Sequence, residues 1–277
     1  MAIEKSRSPD EFVNFERAGW NANIGRYDDA FGAVSRQTVP YTLDAAGVRA
    51  GMRVLDVCTG PGMMVEAAIA RGAQAIGVDF SKDAVDLAKR LVPAGEFRQG
   101  DAQSLPFHDD VFDAAVCNYG VIHVPEPERA LREMVRVVRP GGRVAIGVWD
   151  STTPNNGFSL VYVAVRAHGT MDVPVPHGPD YFQFSTDEKM RAALAEVGLT
   201  KLQTRMVEQR WNVTSASQYM QAMLGGTVRA SAVLTAQTDA AKAKILRFLE
   251  QTLAGMPGSK GGFDLPLAAL IGSGTKG

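Results

Sequence analysis

Between residues 54 and 149 the chain alternates short apolar, β-rich runs with helix-patterned segments, and this alternation admits few folds. Strands separated by helices must pair in parallel, with the helices on the faces of the sheet. The spacing predicts strands over about 53–58, 75–79, 96–99, 112–117 and 144–149. Ser81 offers an N-cap to a helix presenting Val85, Ala88, Leu91 and Val92, and Ala130, Leu131, Met134, Val135 and Val138 share one face of another. Pro140-Gly141-Gly142 is expected to stop that helix and turn the chain into the fifth strand. Past Asp150 the pattern loosens into a helix over 158–168, a loop through Pro174, Pro176 and Pro179, and a helix face of Met190, Ala193, Leu194 and Val197. A sixth strand over 201–211, helical stretches over 215–234 and 239–253, and a last strand starting only after Pro266 complete the reading. With 277 residues, 45% of them hydrophobic, one elaborated domain fits better than two.

The first predicted strand runs into VLDVCTGPG, residues 54–62, where a carboxylate sits beside a glycine turn. Gly60 and Gly62 remove side chains where the backbone must turn and approach a ligand, and the following helix offers unpaired N–H groups. Seventeen residues past Gly62, Asp79 ends the second predicted strand, placed to accept hydrogen bonds from ribose hydroxyls. A nucleoside is the expected guest. Asp56 would repel a pyrophosphate at the turn and attract a cationic, amino-acid-bearing nucleoside. A nicotinamide dehydrogenase fits Gly60 and Asp79, but not Asp56, nor Val65 where a third glycine would be expected.

Four segments, VLDVCTGPG, GVDFS, GDAQSLPFHDDVFDAAVCNYGVIHV and ALREMVRVVRPGGRVAIGVW, follow in order over residues 53–149. In sequence and spacing they resemble the class I S-adenosylmethionine-dependent methyltransferases, particularly the group related to ubiquinone and menaquinone biosynthesis. Cys58 departs from the family, which often has the first glycine of its turn there. The resemblance implies a Rossmann-like α/β fold whose seven strands run 3-2-1-4-5-7-6, the last antiparallel, with helical cap elements. It implies that Asp56, Cys58, Gly60 and Gly62 line the methionine part of S-adenosyl-L-methionine, and that Asp79 holds the ribose. Phe80 would pack on the adenine, Asp101 and Ala102 would meet its edge, Asn118 would face the amino-acid end, and Tyr27 would close over the cofactor. Residues 1–45 are expected as a helical leader and 46–277 as the methyltransferase domain, with 151–185 and 213–260 as insertions on the substrate side.

Outside that block, Phe12, Phe15, Trp20, Tyr27 and Phe31 crowd the leader among Gly19, Gly25 and Gly32, a mixture of packing surface and local freedom. Trp20, Tyr119 and Phe182 are the expected acceptor contacts, and His123 is the candidate general base. The polar turn at His108 gives no converging metal ligands, and His168 and His177 flank the proline loop without a placed role. Cys58 and Cys117 read as free buried thiols in strands. With a net charge of −1 and scattered basic residues, no patch proposes nucleic acid as partner. The charged start MAIEKSRSPDEF and the absence of a span-length apolar run lead to an expectation of no membrane insertion and a cytoplasmic location. The expected activity is methyl transfer to a small-molecule acceptor, with self-association as a homodimer left open; the alternative is a cofactor-binding regulatory or scaffold protein without turnover.

Overall fold

The computed structural model describes residues 9–153, 156–259 and 261–277. The strands β1 (Arg53–Val57), β2 (Gln74–Asp79), β3 (Glu96–Gln99), β4 (Phe112–Asn118) and β5 (Val138–Trp149) pair in parallel. The last long strand, β8 (Gly262–Lys276), inserts antiparallel between β5 and β6 (Leu199–Val213), and the two-residue β7 (Gly258–Ser259) pairs only with β8. The sheet order is β3-β2-β1-β4-β5-β8-β6, which with β7 set aside is the expected 3-2-1-4-5-7-6.

Helices cover both faces, so the central strands are buried on each side and read as continuous apolar runs. Alternate residues supply two cores. Val54, Ala114, Val116 and Ala145 pack with α3 (Val39–Ala45), α4 (Met63–Ala70) and α5 (Lys82–Leu91), while Leu55, Ala115, Cys117 and Ile146 pack on the other side with α6 (Pro127–Val137) and α8 (Asp187–Glu196). Ser81 caps α5 as expected, its hydroxyl accepting from the Ala84 N–H. Leu91, however, is 50% exposed, because the helix ends there and only Val92 turns back into the core.

Three boundaries differ from the sequence reading. Val138 already belongs to β5, and Pro140-Gly141-Gly142 does not precede the strand but bulges within it, where the register with β4 jumps from Phe112↔Val138 to Ala114↔Arg143. Pro266 lies inside β8 rather than before it. Its carbonyl accepts from Gly157 N on the side away from β6, so the proline's missing N–H costs no bond to β6. The stretch over 215–234 is two helices, α9 (Ala216–Gly226) and α10 (Arg229–Thr235), broken at Thr227-Val228, and α11 (Asp239–Ala254) follows.

The N-terminal segment is helix α1 (Pro9–Tyr27), a π-helical turn (Asp28–Gly32), and the short α2 (Ala33–Ser35). Gly19 and Gly25 lie within the continuous helix α1, contrary to the freedom expected of that segment. A Cβ on Gly19 would lie 2.4 Å from Val228, so this glycine serves close packing against the start of α10. These elements and the Gly226-Thr227 end of α9 line a cavity at the C-terminal ends of the parallel strands, where open α/β sheets place their ligands, while α7 (Leu160–His168) packs against α10 and α11.

Candidate functional site

The strand β1 ends in a turn through Cys58, Gly60 and Gly62, all with positive φ (59°, 51° and 89°). At Gly60 an added Cβ would approach only Ile24, at 3.9 Å, so the backbone there stands open to a cavity. Gly62 faces the other way. A Cβ there would press on the Phe97 ring at 3.0 Å, and Gly62 is absent from the cavity wall; it serves the turn and the seating of α4.

Asp79, at the tip of β2, accepts from Gly60 N and Ser81 N, each at 2.9 Å, which ties the turn to the start of α5. Asp56, 2% exposed, accepts from the Thr59 hydroxyl at 2.6 Å. Neither carboxylate forms an ion pair with a lysine or arginine among the described residues. Burial pushes Asp56 up to about 7, partly offset by the Thr59 hydrogen bond and reinforced by Asp79. Burial likewise pushes Asp79 up to about 6 against the opposing pull of the Ser81 and Gly60 N–H groups. Two buried, uncompensated carboxylates facing one cavity form a site suited to a cation and to hydroxyl donors.

The rest of this half holds the other expected residues. Phe80 lies on the wall with the Arg17 guanidinium 5.8 Å from its ring centroid. Asp101 holds the Gln103 N–H at 2.8 Å, and Ala102 is buried against the cavity. The Asn118 amide donates to Thr38 Oγ1 at 3.0 Å. Cys58 lines the wall and Cys117 lies buried beneath it; their mutual hydrogen bond, then burial, raises the Cys58 thiol well above its ordinary range, so it offers no thiolate.

The other half is aromatic. Tyr119 stacks on Trp149 at 4.0 Å, Trp149 on Phe158 at 5.8 Å, and Phe158 on Tyr181 at 5.5 Å. Tyr119 spends its hydroxyl on Gln209 Oε1 at 2.9 Å, so it presents a ring and not a donor to the cavity. Tyr27 packs edge-on against Trp20 at 5.7 Å, with its hydroxyl 2.7 Å from Ser35 Oγ. Phe182 does not reach the cavity wall; its neighbour Tyr181 does, and Phe182 packs against that ring at 5.2 Å.

His123 ends a 3-10 turn (Val121–His123) after β4 and lines the cavity where the two halves meet. Its Nδ1 lies 3.0 Å from Glu16 Oε2, which also accepts from Trp20 Nε1 at 3.1 Å; Glu16 Oε1 accepts from Arg229 Nε at 2.9 Å. Glu16, Arg229 and Tyr181 escaped the sequence reading. His168 and His177 are not on the wall, and His168 packs on Phe248 at 5.2 Å. His108 is also off the wall, and its neighbour Asp109 accepts from Arg136 at 2.7 Å.

Residues 55–146 match the family described as a methyltransferase domain. The demethylmenaquinone methyltransferase of Renibacterium salmoninarum is 40% identical over 111 residues, covering 40% of this chain and 47% of that protein. The chain spans about half the length of the curated relatives it matches. Among solved structures, YcgJ from Bacillus subtilis superposes with a TM-score of 0.56 at 22% identity, covering 86% of this chain and 97% of that one. The Haemonchus contortus phosphoethanolamine N-methyltransferase 2, in complex with phosphomonomethylethanolamine and S-adenosylhomocysteine, superposes with a TM-score of 0.56 at 18% identity, covering 98% of this chain and 61% of that one. Residues 55–146 thus resemble a methyltransferase domain, and the strand order and solved neighbours show the fold of the class I methyltransferases.

Proposed function

We propose that the chain transfers a methyl group from S-adenosyl-L-methionine to a small-molecule acceptor. The observation that carries this reading is the pair of buried carboxylates, Asp56 and Asp79, which have no lysine or arginine partner among the described residues and face a cavity whose far half is walled by aromatic rings. The cofactor fits the residues present. Asp79 would accept from the ribose hydroxyls, Asp56 would hold the ammonium directly or through water, and Phe80 with Ala102 would flank the base. Gly60, whose Cβ would fill the cradle, lets the backbone approach. Bound there, the cofactor would supply an electrophilic methyl on a cationic sulfur.

The chain's own contribution is positioning and the exclusion of water. Well-oriented pairs gain about 7 to 11 kcal/mol over free encounter. The cavity wall runs without a break from Asp56 and Asp79 to the Tyr119, Trp149 and Tyr181 rings, so an acceptor would lie beside the cofactor. Trp20 and the Tyr119 ring would present apolar surface to that acceptor, Tyr27 would close over the cofactor, and His123 is the group that would take a proton from the acceptor.

Around this centre we divide the chain into a leader, residues 1–45, which is largely helical from residue 9 on and whose first eight residues lie outside the described ones, and the domain proper, 46–277. Its segments 151–185 and 213–260 supply α7 and α9 to α11 on the acceptor side. A cytoplasmic location and a small-molecule rather than nucleic-acid acceptor belong to the same proposal. They are supported by scattered basic residues and by the absence, among the described residues, of a helix long and apolar enough to cross a membrane.

The test has two arms. Calorimetry should find micromolar binding of S-adenosylhomocysteine. Mass spectrometry should then find a methylated product when S-adenosylmethionine is mixed with a panel of hydroxyl, carbon and nitrogen nucleophiles. Reduced demethylmenaquinone heads the panel, since a relative's name supplies it. No binding removes the proposal; tight binding with no product across the panel favours the regulatory alternative.

A further inference from the structure

We infer that Glu16 is a positioning residue for His123: it fixes the proton of the neutral imidazole on Nδ1 and leaves Nε2 as the base that faces the acceptor. This rests on the proposed methyl transfer and deepens it, because a base is needed only for an acceptor that must lose a proton.

Glu16 lies at the middle of α1 with its side chain 1% exposed, and three side-chain nitrogens converge on it, from Trp20 of the same helix, from His123 and from Arg229 of α10. Trp20 Nε1 and Arg229 Nε can only donate, so the carboxylate must accept. Burial alone would push Glu16 up, but His123 and Arg229 outweigh it and hold the group below its ordinary range. Facing an ionised carboxylate at 3.0 Å, Nδ1 must carry a hydrogen, and a neutral ring then has its lone pair on Nε2.

Nε2 has no hydrogen-bond partner among the described residues. It is also not a buried, unsatisfied atom, since the only such side-chain nitrogen or oxygen described is Gln183 Nε2. It is therefore accessible, and the residue that carries it lines the cavity. A histidine used only for structure would have both nitrogens engaged or the ring turned to bulk solvent. Here the ring is gripped edge-on by Trp20 at 4.9 Å and by Tyr181 at 5.8 Å, so its orientation is set from both sides.

Arg229 completes the arrangement. Besides Glu16 it donates to the carbonyls of Pro179 and Ile122, each at 3.1 Å, and lies over the Phe12 ring at 4.9 Å. Its permanent charge keeps Glu16 from taking the proton itself, so Glu16 remains as the counter-charge when His123 becomes an imidazolium. The other ionisable groups around the ring are the Tyr162 and Tyr181 phenols, which interact electrostatically with Glu16 and Arg229, and Asp79, which interacts with His123 across the cavity.

The acceptor class follows. Its reacting atom carries a hydrogen, as a ring hydroxyl or an acidic C–H. That bond breaks, the proton joins the Nε2 lone pair, and the electron pair left behind is the nucleophile. A tertiary amine or thioether has no such proton and makes no use of the dyad.

The test reads the ring directly and needs no acceptor. Protein labelled with ¹⁵N-histidine carries four histidines, and His123→Gln assigns the signal of interest. Whenever the His123 ring is neutral, its hydrogen should sit on Nδ1, with a free lone pair on Nε2. In the double variant Glu16→Leu with Arg229→Met, which removes the acceptor without stranding a buried charge, that tautomer should lose its dominance. Hydrogen on Nε2 and not on Nδ1 of the neutral ring in the native protein overturns the inference whether or not the variant folds; an unchanged tautomer in a folded variant overturns the role of Glu16. Methyl transfer failing with every acceptor would leave this spectrum unaltered, so the two readings fail separately.

Discussion

Lowering the pH from 8 to 5 should strip the protein of affinity for S-adenosylhomocysteine, and Asp56 and Asp79 set by how much. Their folded values, about 7 and about 6, are raised from 3.8 by burial. At pH 5 Asp56 lies about two units below its value and Asp79 about one, so a ligand that needs both as carboxylates must expel nearly two protons. At about 1.4 kcal/mol per unit this costs about 4 kcal/mol, on the order of a thousandfold in Kd. The ligand-free protein should show the opposite trend. Because the folded state holds protons that the unfolded chain has released, stability conferred by these groups is full below about pH 4 and is lost as pH rises through 6 and 7. Calorimetry in two buffers of unlike ionisation enthalpy measures both the affinity and the proton count. Release should approach two protons near pH 5 and vanish by pH 8, and Asp56→Asn should remove the larger share. A Kd that is flat across this range, with no protons released, would refute the assignment of the two carboxylates to the ligand.

Three further outcomes follow from particular contacts. Gly120→Ala should destabilise the protein by about 1 to 3 kcal/mol in chemical denaturation. The new Cβ would lie 2.2 Å from Cys58 Cβ, and adding Cys58→Gly should recover much of the loss by emptying that space and relieving the positive φ. Tyr27→Ala should weaken cofactor binding about tenfold in calorimetry with a lesser effect on melting temperature; a purely thermal effect would move Tyr27 from the site into the core. The cap is clamped to α1 by Asn23 Nδ2 on the Thr227 carbonyl at 2.7 Å and by Arg229 on Glu16. Hydrogen exchange in α9 and α10 should therefore be faster in Asn23→Ala and slow when S-adenosylhomocysteine is added, whereas protection equal to that of the central strands in every state would rule out a moving cap.

The carboxylate end of the cavity was legible because its parts are close in sequence and governed by local rules. A buried strand, a turn needing positive φ and a carboxylate at the next strand tip leave marks within residues 54–79. The aromatic end was not, because its key contacts are long-range: Glu16 meets His123 across 107 positions and Arg229 across 213. Nothing in the local pattern of an amphipathic helix distinguishes a surface glutamate from one whose partners arrive from elsewhere. Tyr181 and Phe182 were likewise inseparable in an irregular loop, where no periodicity tells which ring turns inward. The misjudged boundaries have the same origin. Pro266 and Pro140-Gly141-Gly142 carry strong local signals, but a proline whose missing N–H faces away from its partner strand, and a bulge in register with β4, are tolerated by the sheet around them.

A crystal structure of the protein with S-adenosylhomocysteine bears most directly on the central claim. The account predicts the ribose hydroxyls on the Asp79 carboxylate, the ligand's ammonium toward Asp56, and the sulfur facing the chamber between His123 and the Tyr119 ring. A ligand bound elsewhere, or bound here with its sulfur turned away from that chamber, would contradict it.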